Sequence, residues 1–210
     1  MDEKATRELR VRLSRSLFER GYSVGSAGNI SVAIDDGILM TPTNASLGFL
    51  EADRISKLDR SGKQISGDKP SKEVFLHQAF YETRPGTGAV VHLHSTYATA
   101  LSCLPDLDAQ DCIAPLTLYV VMRIGQVRLL PYVRPGEPAM GEIIHELKGA
   151  HAAVLLANHG PVVSAKDLIT AVYAAEELEE TAKLLVLLRG RNPRLLTRAQ
   201  IEELNTAYPK

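Results

Sequence analysis

Residues 89–94 read Ala89-Val90-Val91-His92-Leu93-His94, a short apolar run bounded by Gly88 and Ser95. Its length and composition predict a buried strand, followed by a helix through Leu104. Similar strand-like runs lie at Val127 to Leu130 and at Ala152 to Ala157. A helix over Ala139 to Leu147 precedes the last of these. A long one follows from about Asp167 to Leu188, striped at helical spacing by Leu168, Val172, Ala175, Leu178, Ala182 and Leu185. Strands and helices therefore interleave through the second half of the chain.

Upstream of residue 89 the pattern is different. From Asp2 to Arg20, Ala5, Leu9, Leu13, Leu17 and Phe18 recur as on one helix face, and Gly21 supplies a stop. Gly25-Ser26-Ala27-Gly28-Asn29 suits a tight backbone turn. Ile30 to Ile34 and Gly37 to Met40 flank Asp35-Asp36-Gly37 and read as a hairpin, with a smaller one over Ile55 to Leu58 and Gln64-Ile65 around Ser61-Gly62. Pro70 is placed to open a helix from Ser71 to Tyr81, which Arg84-Pro85-Gly86 ends. At the C-terminal end Thr197, with Gln200 three residues later, caps a short helix to Leu204. Hairpins combined with interleaved helices predict a mixed sheet carrying helices on both faces.

No repeat, low-complexity tract or linker interrupts the 210 residues, so one domain over 1–210 is expected. With 45% apolar and 23% charged residues the chain is globular, not disordered. Its 24 basic and 25 acidic residues leave a net charge of -1, without the cationic field that nucleic acid or an anionic membrane surface would need. No apolar run reaches the roughly 20 residues of a spanning helix, and Met1-Asp2-Glu3-Lys4 is no signal-peptide core, so a cytoplasmic protein is expected. Cys103 and Cys112 then read as free thiols.

His92 and His94 are two residues apart on a predicted strand, so both imidazoles point the same way. His159, in Asn158-His159-Gly160, follows another predicted strand, at the kind of strand end where ligand sites gather. A lone histidine is usually an ordinary polar residue. Two on one face of an apolar strand need partners that a metal supplies at once, and three neutral imidazoles leave an open position for substrate. His77, His145 and His151 are read as unrelated to this site. Three small-residue loops, Gly25 to Asn29, Thr41-Pro42-Thr43-Asn44 and Pro70-Ser71-Lys72, offer N–H groups, hydroxyls, an amide and a cation that together suit a phosphate. Each alone is equally readable as a turn or a helix cap.

These pieces in this order resemble the class II aldolase/adducin family, typified by L-fuculose-phosphate aldolase. The matching elements are Gly28-Asn29-Ile30-Ser31, Thr41-Pro42-Thr43, Pro70-Ser71-Lys72-Glu73, His92-Leu93-His94 and Asn158-His159-Gly160. Gly67 to Glu73, His92 to Thr96 and Tyr119 to Arg123 look most like the subgroup that decarboxylates 3-oxo-tetronate 4-phosphates. The resemblance implies a three-layer α/β/α sandwich around a mixed, largely antiparallel sheet, and a homotetramer with active sites at subunit boundaries. It implies one Zn2+ per subunit on His92, His94 and His159, with Glu73 as acid/base and occasional metal ligand. Gly28, Asn29, Thr43, Asn44, Ser71 and Lys72 fall in the family's phosphate loops, and Tyr119 matches a proton donor that often acts across a subunit boundary. Asn44 stands where the aldolases commonly have Gly, and Lys72 where many have a second Ser. Lys72 suits an extra anionic group, or is simply a solvated lysine.

The implied reaction is decarboxylation of a sugar-acid phosphate to dihydroxyacetone phosphate and CO2. A fuculose-phosphate type of aldolase is the nearest alternative. An epimerase is disfavoured because such relatives usually carry Asp at the place of Glu73, and a non-catalytic adducin-like scaffold by the intact histidine set.

Overall fold

The computed structural model describes residues 2–209. Helix α1 (Glu3–Glu19) is capped by the Asp2 carboxylate, which accepts from the Ala5 N–H. The strands are β1 (Asn29–Ile34), β2 (Gly37–Met40), β3 (Ser56–Asp59), β4 (Gln64–Ser66), β5 (Ala89–His92), β6 (Val127–Leu130), β7 (Ala153–Leu156) and β8 (Gly160–Ala165). They form one sheet in the order β4-β3-β2-β1-β5-β8-β7-β6. Every pairing is antiparallel except β6 with β7.

Alternation along the strands sorts the core into two layers. Ala89 and Val91 of β5, like Ala153 and Leu155 of β7, face one cluster shared with Leu17 of α1, Ala98 and Leu101 of α3 (Thr96–Ser102), and Leu178 and Ala182 of α6 (Leu168–Leu187). Helix α4 (Leu118–Arg123) joins this layer through Val120 and Val121, and α7 (Arg198–Ala207) packs on α4. On the opposite face Val90, Val154 and Leu156 meet Leu76 and Phe80 of α2 (Val74–Thr83) and Met140 and Ile144 of α5 (Ala139–Glu146). The expected α/β class, a mixed and largely antiparallel sheet between helical layers, is the observed one.

Three local expectations need correction. Helix α2 starts at Val74 rather than Ser71. Pro70 instead bridges to Pro42, and the Ser71 N–H donates to the Thr41 carbonyl at 3.0 Å, so these residues belong to an extended loop. Strand β5 ends at His92, with Leu93 and His94 continuing as loop. Strand β8 was not anticipated, because a proline at its second position argues against an interior strand. Pro161 is tolerated near the strand start, where its carbonyl accepts the Leu93 N–H at 3.2 Å.

Candidate active site

The end of β5 and the β7–β8 turn lie side by side, which brings three imidazoles together. The Nε2 atoms of His92, His94 and His159 are separated by 3.1 Å (92 to 94), 3.3 Å (92 to 159) and 3.0 Å (94 to 159). His159 projects from a tight turn in which Asn158 takes a left-handed φ of 57°, a conformation asparagine tolerates better than most residues. Helix α3 holds that turn: the Ser102 hydroxyl accepts the His159 N–H at 3.2 Å, and the Thr99 hydroxyl donates to the His159 carbonyl at 3.1 Å. Gly28, at φ +78°, lets the first loop pass so close that a Cβ there would lie 2.8 Å from the His92 carbonyl oxygen.

The three contacts among these ring nitrogens cannot all be hydrogen bonds, since each nitrogen is either donor or acceptor and at least two of the three must be alike. The fully buried His92 resolves its own role, because Nδ1 donates to the Pro161 carbonyl at 2.9 Å and leaves the Nε2 lone pair directed into the cluster. Burial lowers the pKa of all three histidines, His159 to about 4, which favours the neutral, metal-ligating form. Tetrahedral zinc with Zn–N bonds of about 2.0–2.1 Å separates its nitrogens by about 3.3 Å. The triad has the donor set and the spacing to hold such an ion.

Glu73, just before α2, faces this cluster. Its Oε2 lies 3.5 Å from His92 Nε2 and its Oε1 3.5 Å from His159 Nε2. Oε2 also accepts from the Asn29 amide at 2.7 Å. Burial works to raise the Glu73 carboxyl, but His92, the Asn29 hydrogen bond, His159 and His77 together hold it below the usual range. A carboxylate kept ionised beside a candidate metal site can accept a proton or supply a further ligand.

The class II aldolase and adducin N-terminal domain, as a family model, matches residues 8–186. The chain belongs to the class II aldolase and adducin family. The 3-oxo-tetronate 4-phosphate decarboxylase of Pectobacterium atrosepticum is 54% identical over 97% of this chain and 94% of its own length. The crystal structure of YgbL from Klebsiella pneumoniae superposes with a TM-score of 0.94 at 50% identity, covering 97% of this chain and 99% of that one. An L-fuculose phosphate aldolase of Methanocaldococcus jannaschii is 37% identical over 84% of this chain and 93% of its own.

Within this class II aldolase domain the three loops read from the sequence also meet. The Thr43 N–H donates to the Lys69 carbonyl at 2.8 Å and the Ser71 N–H to the Thr41 carbonyl, so residues 41–43 run antiparallel to residues 69–71. The first loop joins them where Asn29 reaches Glu73 and the Ile30 N–H donates to the Thr41 hydroxyl. Asn44 takes a φ of 57°, a backbone conformation that glycine adopts freely. The helix-dipole argument for an anion at Ser71 and Lys72 does not hold, because the helix begins later and the Ser71 N–H is already engaged. Lys72 is exposed, and its stem lies against Gly136 of the loop before α5.

Asn29 has other employment than an anion: its amide donates to Glu73 and its Oδ1 meets His77 Nε2 at 2.5 Å. Tyr119 is half exposed on α4, its ring under the Arg123 guanidinium at 5.3 Å, and among the described residues no hydrogen bond ties it to the histidines. Sequence reading missed Arg10. Fully buried on α1, Arg10 donates to the Ile30 carbonyl at 2.6 Å and to the Thr41 hydroxyl, bracing the first two loops from below. Burial pushes its guanidinium down to about 9. An arginine within the apolar-patterned face of α1 was the available signal.

Proposed function

We propose that this protein is a zinc-dependent lyase that converts 3-oxo-tetronate 4-phosphate to dihydroxyacetone phosphate and CO2. The observation that carries the reading is the 54% identity to a decarboxylase of that name, running almost end to end in both chains. The grouping of His92, His94, His159 and Glu73 supports it. In the reaction the C1–C2 bond breaks, its electron pair moves through C2 into the C3 carbonyl, and C2 takes up one proton. A divalent cation held by the three histidines would supply the Lewis acidity that stabilises negative charge at the C3 oxygen.

Glu73, fixed by Asn29, takes the proton of the C2 hydroxyl as charge builds and returns it afterwards. Tyr119 donates to C2 once CO2 has left. Its 50% exposure supports action across a subunit boundary, in a homotetramer. Gly28, Thr43, Asn44 and Ser71 hold the phosphate, and Lys72, with no ion pair among the described residues, takes the extra carboxylate or phosphate charge. The whole chain acts as one domain. Its two free cysteines support a reducing, cytoplasmic setting; no helix among the described residues is long and apolar enough to cross a membrane.

A class II aldolase activity is the second reading, favoured by the 37% identity to the archaeal fuculose phosphate aldolase. The experiment is to give zinc-loaded protein 3-oxo-tetronate 4-phosphates and fuculose 1-phosphate in parallel. Release of dihydroxyacetone phosphate with CO2 from the first is expected. Aldehyde from the second and no CO2 from the first would replace the decarboxylase reading with the aldolase one.

A further inference from the structure

His77 is fully buried, and none of the steps above uses it. It lies at the centre of an unbroken line of side chains. Tyr81 Oη is 2.8 Å from Ser31 Oγ, Ser31 Oγ is 2.7 Å from His77 Nδ1, His77 Nε2 is 2.5 Å from Asn29 Oδ1, and Asn29 Nδ2 is 2.7 Å from Glu73 Oε2. Two periodicities produce the line. Asn29 and Ser31 are alternate residues of β1, sharing the face toward α2, while Glu73, His77 and Tyr81 recur every four residues at and along α2.

Only one arrangement of protons satisfies every member. Ionised Glu73 can only accept, so Asn29 must present its NH2 there and turn its oxygen to His77. His77 then carries its proton on Nε2, and Nδ1 accepts from the Ser31 hydroxyl. The Ser31 oxygen in turn accepts from Tyr81. The line does not carry protons to the site, because a carboxamide neither gains nor loses one under ordinary conditions.

We propose that His77 is a positioning residue: by holding the Asn29 amide in one orientation it fixes the direction from which Glu73 is hydrogen-bonded, and so aims the carboxylate at the reacting atoms. The proposal rests on the reading of Glu73 given above. Without the Nε2–H donor the Asn29 oxygen is left buried and unpaired, and the amide is free to turn its oxygen toward Glu73, which would repel the carboxylate. Glutamine presents a donor group, its NH2, and an acceptor, its carbonyl oxygen, where neutral histidine presents N–H and N, and should replace it. Phenylalanine has neither.

The test uses the full-length, zinc-loaded protein. Nitrogen-15 spectra of the wild type should assign the His77 proton to Nε2; an Nδ1-protonated ring overturns the proposal and needs no variant to fold. His77→Phe should lower kcat by about 10- to 100-fold, with KM within about 3-fold and metal content unchanged. His77→Gln should recover to within about 3-fold of wild type. Wild-type turnover in His77→Phe, or equal losses in the two variants, would overturn the positioning role. Glu73→Gln separates the two readings: if it is fully active, the role of Glu73 fails and this proposal with it. If Glu73→Gln is inactive while His77→Phe is fully active, only the role of His77 fails.

Discussion

His92 and His159 are held largely by backbone groups. The Pro161 carbonyl accepts from one imidazole. In the turn that carries the other, the Asn158 N–H donates to the Ser102 carbonyl at 3.1 Å and the His159 N–H to the Leu156 carbonyl at 3.1 Å, with the Thr99 and Ser102 hydroxyls adding to them. Glu73, across the cluster, is oriented by side chains alone, through Asn29 and the residues behind it. Backbone groups survive most substitutions. Side-chain lines can be cut at any member. The two walls should therefore fail differently, one by losing the metal and the other by losing rate while the metal stays.

The sharpest way to break that comparison is to remove one residue from each wall. His159→Ala should lose bound zinc together with at least about 10³-fold of activity, whereas Glu73→Gln should keep the metal and lose about 10²- to 10⁴-fold in kcat. Metal analysis beside single-turnover kinetics checks this, and zinc retained at wild-type stoichiometry in His159→Ala would place the ion elsewhere.

Acid should expose the side-chain wall next. Burial lowers His77 from 6.5 to about 3, so the folded protein binds fewer protons there than the unfolded chain. This contribution to stability is fully present above about pH 6.5 and is lost progressively as pH falls toward 3. Urea midpoints of chelator-treated protein should fall over that window, less steeply in His77→Gln. Equal slopes would mean that His77 titrates alike in both states.

Smaller effects come from the loop between the walls. Gly28→Ala combines a positive φ with a Cβ 2.8 Å from the His92 carbonyl oxygen, and should cost about 1–3 kcal/mol in denaturant unfolding. Asn44→Gly is the mild counterpart. Its φ of 57° already suits glycine, so stability should stay within about 0.5 kcal/mol. A large loss would show that the Asn44 side chain holds the loop.

The histidine wall was legible because its signals are one-dimensional: the spacing of His92 and His94 marks them as a pair, and His159 follows an apolar run. The strand nevertheless ends at His92, and it is the loop after it that carries His94 to the same place. The other wall was legible only in pieces. Glu73 is legible through family resemblance, while nothing local says that His77 meets position 29. The pairing of Asn29-x-Ser31 with the four-residue spacing of Glu73, His77 and Tyr81 is visible in the sequence once β1 and α2 are known to touch. Strand β8 was hidden by Pro161, and the start of α2 by Pro70, whose residues pair with Thr41 and Pro42 across the sheet end. In each case a long-range contact overrode a local preference.

Arg10 has a bearing on how far the chain can be trimmed. It reaches from the third turn of the first helix to the roots of two site loops, through Ile30 and Thr41. The N-terminal helix is therefore part of the smallest unit that can work, and not an ornament on the outside of the sheet. A shortened gene product beginning after residue 10 would lose the keystone under those loops even where the sheet itself still assembled. Fusions and tags belong ahead of Asp2, whose carboxylate caps the helix that carries Arg10.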